Sequence, residues 1–195
     1  MATVITYTSS DTFIVPAGVT SVIFECWGWG GTGDEWSVAG GGGAYAKKTL
    51  TVTEGTPYYI VFNSGPGVAG VLVGLTNSPD YYPFCRAASG GDGDGSPGEI
   101  AGCLGDIKYS GGYADDTFGG GGAGSTGNGG NASGGVGLGT PLGGGDGGIN
   151  DVEGNACGGG AGFNSWTGGS GKVTITYDSG EPVSTISPFP SFKRS

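Results

Sequence analysis

Glycine fills 34 of the 82 positions from Gly90 to Gly171, and that density decides which architectures remain open. Collagen needs Gly at strictly every third position with abundant Pro. The runs Gly119-Gly120-Gly121-Gly122, Gly143-Gly144-Gly145 and Gly158-Gly159-Gly160 break that period. A flexible linker pairs Gly with Ser and carries few aromatics, yet Tyr109, Tyr113, Phe118, Phe163 and Trp166 are interspersed here with Ile107, Val136, Leu138, Leu142 and Ile149. The reading that remains, against a disordered glycine region, is a set of extended helices with three residues per turn, of the polyproline II shape, laid side by side. Such a helix has no internal hydrogen bonds, so a neighbour must satisfy its buried amides. Bare backbones approach closely enough for N–H···O=C bonds and for Cα–H···O contacts, the latter about 0.5–1 kcal/mol each. Ordering the backbone opposes this at about 1–2 kcal/mol per residue, most for Gly, so the region needs anchors at its ends.

The flanking sequence supplies them. Thr3 to Thr8, Asp11 to Val15, Val19 to Trp27, Tyr45 to Thr53 and Tyr58 to Asn63 are rich in Val, Ile, Thr, Tyr and Phe and are broken by Pro16-Ala17-Gly18 and Glu54-Gly55-Thr56, the composition of strands and turns. Val22, Phe24 and Cys26 alternate with Ile23, Glu25 and Trp27, and Val173, Ile175 and Tyr177 with Lys172, Thr174 and Thr176. A period of two marks half-buried strands. The expected fold is all-β: an antiparallel, jelly-roll-like β-sandwich with almost no α-helix, carrying packed polyglycine II-type helices and loops. One domain over residues 1–178 is expected, with strands in 1–63 and 172–178 and a glycine-rich insertion over 90–171. The last strand closes sheets begun more than a hundred residues earlier, so contact order is high. Residues 179–195, with Pro182, Pro188 and Pro190, read as an extended C-terminal arm. Ile186, Phe189, Phe192, Lys193 and Arg194 are its candidate docking residues, with a frayed tail as the rival.

Charge and missing residue types narrow the chemistry. Net charge is −10 with seven Lys plus Arg, so clustered bases for a nucleic-acid surface are lacking. No apolar window is long enough to span a membrane, and MATVITYTSSD has neither the basic start nor the apolar run of a Sec-type signal. The chain has no His, which removes imidazole zinc sites and Ser-His-Asp or Cys-His activation. The Asp and Glu residues form no catalytic pair in sequence, so no enzyme and no cofactor are expected. Cys26, Cys85, Cys103 and Cys157 show no C-x-x-C spacing; Cys85 with Cys103 closes the shortest loop for a disulfide, and buried thiols are the equal alternative.

Several local patterns fail on inspection. Gly28-x-Gly30-x-x-Gly33 follows a strand, but no amphipathic helix follows it and Asp34-Glu35 would repel a pyrophosphate. Asp92-Gly93-Asp94-Gly95-Ser96 alternates oxygen ligands as a calcium loop does, but Pro97 and Cys103 stand where an EF-hand has Gly and Glu. Asp92, Asp94, Asp115, Asp116, Asp146 and Asp151 therefore read as solvated turn carboxylates, and no metal site is expected. Trp27, Trp29 and Trp36 flank glycines, where an indole can lie on bare backbone. Packing is the readier reading and ligand stacking the second.

Two segments go beyond composition: the run from Thr12 through Pro16-Ala17-Gly18-Val19 to Cys26-Trp27-Gly28-Trp29-Gly30-Gly31, and Gly40-Gly41-Gly42-Gly43-Ala44-Tyr45. With Gly171-Lys172-Val173-Thr174-Ile175-Thr176-Tyr177, their order and spacing resemble the glycine-rich domain of phage tail-fibre and other virion or surface proteins, over roughly residues 10 to 178. The resemblance implies a β-sandwich with packed polyglycine helices and a surface scaffold whose loops vary. Residues 64–89 depart from the fibre-tip adhesins, so no receptor-binding residue is carried over. The expected function is a non-enzymatic structural protein at a virion surface or outside the cell: tail-fibre tip, decoration protein or host-recognition adhesin. The alternative is a subunit of an extracellular filament or matrix. Candidate ligand-binding residues are Trp29, Trp36, Tyr81, Tyr82, Tyr113, Phe118 and Trp166. Expected partners are other assembly proteins through the arm, a host glycan or protein, or further copies of the chain.

Overall fold

The computed structural model describes residues 1–34, 38–63, 70–75 and 83–179. Nine strands are described: β1 (Ala2–Tyr7), β2 (Asp11–Ile14), β3 (Ser21–Trp27), β4 (Tyr45–Thr51), β5 (Pro57–Asn63), β6 (Gly70–Gly74), β7 (Pro83–Ala88), β8 (Ile107–Tyr109) and β9 (Lys172–Asp178). The helical content among these residues is one 3-10 turn at Ile100–Gly102. Two antiparallel sheets, ordered β1-β9-β3-β4-β8 and β2-β5-β6-β7, form the sandwich. β9 sits between β1 and β3, with Phe24 opposite Ile175 and Trp27 opposite Lys172. The chain's far end thus completes the first sheet.

The alternation in β3 places Val22, Phe24 and Cys26 in the core with Val173 and Ile175 of β9, facing Tyr58, Ile60, Val71, Val73 and Cys85 of the other sheet. Phe24 meets both Tyr58 and Phe84 with ring centroids 5.2 Å apart. The Pro16-Ala17-Gly18 corner closes with a bond from the Val19 amide to the Pro16 carbonyl (3.3 Å). Gly18 there takes φ +75°, the left-handed conformation that a glycine adopts without steric penalty. The segment after β5 departs from expectation. It supplies β6 and β7, two of the four strands of the second sheet, whereas the sequence predicts strands only in 1–63 and 172–178.

At one end of the sandwich the pairing continues beyond the strands with a different period. Past Trp27 and Tyr45, the Gly28 amide donates to the Ala44 carbonyl (2.9 Å) and the Gly31 amide to the Gly41 carbonyl (2.8 Å). Past Lys172, the Gly30 amide donates to the Gly169 carbonyl (2.9 Å). Deeper in, the Gly40 and Gly43 amides both donate to segment 158–161, at Ala161 and Gly158, while Gly41 donates to Gly91 and Gly42 to Gly112. Likewise Gly119 and Gly122 donate to Gly148 and Gly145, Gly120 and Ala123 to Gly40 and Gly43, and Gly121 to Gly130. Amides three residues apart share a neighbouring segment and the two between them point to other neighbours, so each segment is bonded in three directions. A strand, with its period of two, reaches only two.

Side chains are excluded by distance. A Cβ on Gly41 would lie 1.8 Å from the Ser96 carbonyl oxygen, on Gly160 1.8 Å from that of Gly40, and on Gly42 2.0 Å from that of Gly121. Both four-glycine runs, 40–43 and 119–122, are buried throughout, and Ala39, Ala44 and Ala123 at their ends are buried as well. The bundle also covers the outer face of β3 and β4, where Trp27, Tyr45 and Ala123 form a second apolar cluster. Lys172 Nζ lies 4.3 Å from the centre of the Trp27 ring.

Gly41→Ala is expected to cost about 3 kcal/mol or more, because its Cβ forces two backbones apart. Gly135→Ala, where a Cβ meets open space, changes stability by less than about 0.5 kcal/mol. Chemical denaturation of the two variants checks this, and equal losses would mean that the bundle is not close-packed.

Candidate functional site

The side chains on the bundle surface come from a short recurring pattern. Trp29-Gly30-Gly31-Thr32, Ser89-Gly90-Gly91-Asp92 and Thr167-Gly168-Gly169-Ser170 each hold two glycines between residues with side chains. Where the backbone turns every three residues, positions i and i+3 share one ridge and the two between them face neighbours. The glycines obey this: a Cβ on Gly30, Gly31, Gly90, Gly168 or Gly169 would fall about 2 Å from a backbone oxygen of another segment. Segment 29–32 lies between the other two, with the Gly90 amide donating to the Trp29 carbonyl (2.9 Å) and the Gly93 amide to that of Thr32 (2.8 Å) on one side, and Gly30 to Gly169 on the other.

Three adjacent ridges therefore form a cleft of about 450 Å³, lined by Trp29 and Thr32, Ser89 and Asp92, and Trp166, Thr167 and Ser170. Trp29 is half-buried, its ring against Phe62 of β5 with centroids 6.0 Å apart. Trp166 is 65% exposed. Asp92 is held by its own Oδ1, which accepts the Thr32 amide at 2.9 Å. The hydroxyl oxygen of Ser89 is buried and has no hydrogen-bond partner among the described residues. Among the described residues no Lys or Arg lines the cleft.

The structure thus brings Trp29 and Trp166 to one site out of the seven candidate ligand residues. Tyr113 is elsewhere, 52% exposed over a shallow depression beside Ser110, Pro97 and Glu99. Phe118 is half-buried and bridged to Ile149. Trp36, Tyr81, Tyr82 and the arm residues Ile186, Phe189, Phe192, Lys193 and Arg194 lie outside the described residues. Sequence reasoning missed Thr32, Ser89, Asp92 as a cleft residue, Thr167 and Ser170. The repeated x-Gly-Gly-x spacing was the available signal.

A scan against protein-family models and a search of curated proteins find no match to this chain. Its own geometry carries the reading. Among the described residues no helix is long and apolar enough to cross a membrane.

The Cys85–Cys103 bridge favoured by loop length is not formed: both are free thiols, as are Cys26 and Cys157. The two sulfurs are drawn to separate backbone acceptors. Cys85 Sγ lies 3.7 Å from the Phe24 carbonyl and 3.6 Å from that of Ala46, and Cys103 Sγ lies 3.3 Å from that of Glu99. Burial pushes the Cys26 thiol well up, with its hydrogen bond to Cys85 adding to the shift, and burial also raises Cys103. Both stay protonated at neutral pH, and the thiolate is the reactive form. A thiol reagent such as Ellman's is expected to label Cys157 first in the native protein, with Cys26, Cys85 and Cys103 slower by roughly two orders of magnitude until the protein unfolds. Rapid labelling of all four would contradict the buried cluster.

The candidate turn carboxylates hold backbone. Asp115 Oδ1 accepts the Thr117 and Phe118 amides at 3.0 and 2.8 Å, and Oδ2 accepts that of Gly134 at 3.0 Å. Partial burial disfavours the charge on Asp115, but the three amides outweigh it and hold the carboxyl below its usual range. Asp94 Oδ1 similarly takes the Ser96 amide and hydroxyl. A carboxyl whose folded-state pKa is depressed contributes stability above its unfolded value and loses it as pH falls through the folded value. Asp115→Ala should therefore destabilise by about 1–2 kcal/mol at neutral pH. That difference should shrink as pH drops below roughly 4, as read by denaturation midpoints across pH. A pH-independent difference would exclude the charged bonds as its source.

Proposed function

We propose that this protein is a non-enzymatic surface component, borne on a virion or exported from the cell, that displays side chains on a glycine platform for attachment. The observation that carries the reading is the division of labour in the bundle: paired glycines lock the backbone while every third residue of an outer segment stands outward. The three-residue period of its hydrogen bonds supports a bundle of polyglycine II-type helices. Rigid display lowers the ordering entropy that a flexible loop would lose on binding. A platform with no apolar core of its own also leaves its outer side chains free of packing duties. The absence of His, and a cleft holding one carboxylate among the described residues where a glycosidase needs a pair roughly 5–10 Å apart, fit binding better than catalysis. In this reading the protein is a fibre tip, decoration protein or host-recognition adhesin, with other assembly proteins as its permanent partners.

One observation favours the filament alternative. Among the described residues β1 is paired on one side alone, to β9, and Val4 within it is 61% exposed, so a strand from another copy has an edge to extend. Concentration-dependent polymerisation that is lost on deleting residues 181–195 would select that reading.

The test of the display reading is location. An antibody to the folded chain, applied to purified virions and to the extracellular fraction of the source culture, is expected to label intact particles or exported material. Recovery of the chain from the intracellular soluble pool alone would overturn it.

A further inference from the structure

We propose that the three-ridge cleft is a binding site for a neutral saccharide, with Trp29 and Trp166 as stacking surfaces and Asp92 as the hydroxyl acceptor. The inference rests on the display reading for its biological setting and on the cleft alone for its chemistry. A pyranose ring offers an apolar C–H face and a rim of hydroxyls that both donate and accept. The cleft offers the complement: two indoles, one part-buried and fixed against Phe62, the other 65% exposed, and a rim of hydroxyl and carboxylate oxygens.

The polar groups are prepared for this role. Asp92 Oδ1 is occupied by the Thr32 amide, which fixes the carboxylate plane, and Oδ2 makes no hydrogen bond among the described residues. A carboxylate held in this way accepts from a sugar hydroxyl without first being ordered. Thr32, Thr167 and Ser170 add groups that both donate and accept. The volume, about 450 Å³, falls in the range of about 300–1,000 Å³ typical of small-ligand sites.

Charge decides between classes of ligand. An anionic sugar or a phosphate would meet Asp92 with no cation in the lining among the described residues, on a chain of net charge −10. A quaternary ammonium would suit the indoles and the carboxylate, but it has no use for the hydroxyl groups of Thr32, Thr167 and Ser170.

The test uses the full-length chain on a glycan array of neutral and anionic saccharides, followed by calorimetric titration with the best neutral hit, with sialyllactose and with choline. Neutral glycans are expected to bind. Trp166→Ala and Asp92→Ala should each weaken the titrated affinity by tenfold or more, while Tyr113→Ala, on another part of the bundle, leaves it unchanged. Trp166 and Asp92 are both exposed, so these variants are expected to fold: Trp166→Ala should keep the denaturation midpoint, and Asp92→Ala, which also removes the acceptor of the Thr32 amide, should lower it while keeping a cooperative transition. An array without neutral binders, neutral binding indifferent to Trp166→Ala and Asp92→Ala, or stronger binding of choline or sialyllactose would each overturn the assignment. Particle labelling together with a blank array would retain display and reject the sugar site. Sugar binding by a chain that labels no particle or exported material would do the reverse.

Discussion

Close approach of one bare backbone to another governs this protein. In an ordinary core, side chains fill the space between elements and apolar burial drives assembly. In the bundle the filling is backbone itself, and a Cβ at Gly41, Gly42 or Gly160 would land 2.0 Å or less from a carbonyl oxygen of a neighbouring segment. The attraction left is hydrogen bonding, and a typical bond contributes only about 0.5–1.5 kcal/mol net. Each residue meanwhile loses backbone entropy worth about 1–2 kcal/mol. Such an assembly is marginal alone. It has to be held from outside.

The sandwich provides the hold. β3, β4, β7 and β9 leave the two sheets at the same end, and each continues directly into a glycine segment that is hydrogen-bonded to the next. The sheets fix the spacing and direction of those segments, so the loops between them close against a preset frame. The cluster of Trp27, Tyr45 and Ala123, with Tyr109 and Cys157 packed against it, ties the bundle to the outer face of the first sheet by apolar burial. The Tyr45 hydroxyl bonds the Glu25 carboxylate across the same face, and burial followed by that bond raises its pKa. Pairing β9 with β1 and β3 closes most of the chain into one loop.

Much of the sandwich was legible in the sequence because a period of two with β-branched and aromatic residues has one physical meaning. The faces of β3 and β9 follow from it directly. β6 was not legible: Gly-Val-Leu-Val-Gly is buried on both sides, so it shows no alternation, and β7 breaks its pattern with Arg86 and paired alanines. In the glycine region, composition told that backbones pack but not which ones, since glycines are interchangeable as neighbours. Run length carried more than composition. Runs of four, at 40–43 and 119–122, lie where every direction is occupied, whereas the pairs 30–31, 90–91, 129–130 and 168–169 belong to outer segments with one free ridge, and a Cβ on Gly134 or Gly135 would meet no neighbour. The cleft joins residues from near 30, 90 and 170, and only the shared x-Gly-Gly-x spacing connects them in the sequence.

That spacing separates stability from recognition. In a typical β-sandwich loop, a residue that contacts ligand also shapes the loop, and changing it alters both. Here the shape of segment 29–32, 89–92 or 167–170 is set by its two inner glycines and by bonds from backbone atoms, which every residue has. Where a ridge side chain makes no bond to backbone, substitution leaves those bonds in place; at 92, 128 and 131 the side chain itself takes part, Asp92 accepting the Thr32 amide and Asn128 and Asn131 those of Ser110 and Tyr113. An outermost segment has no further backbone to receive its neighbour's amides, and side-chain carbonyls take over that work. The same positions can therefore carry an indole, a carboxylate or an amide without rebuilding the fold, provided the glycines between them stay.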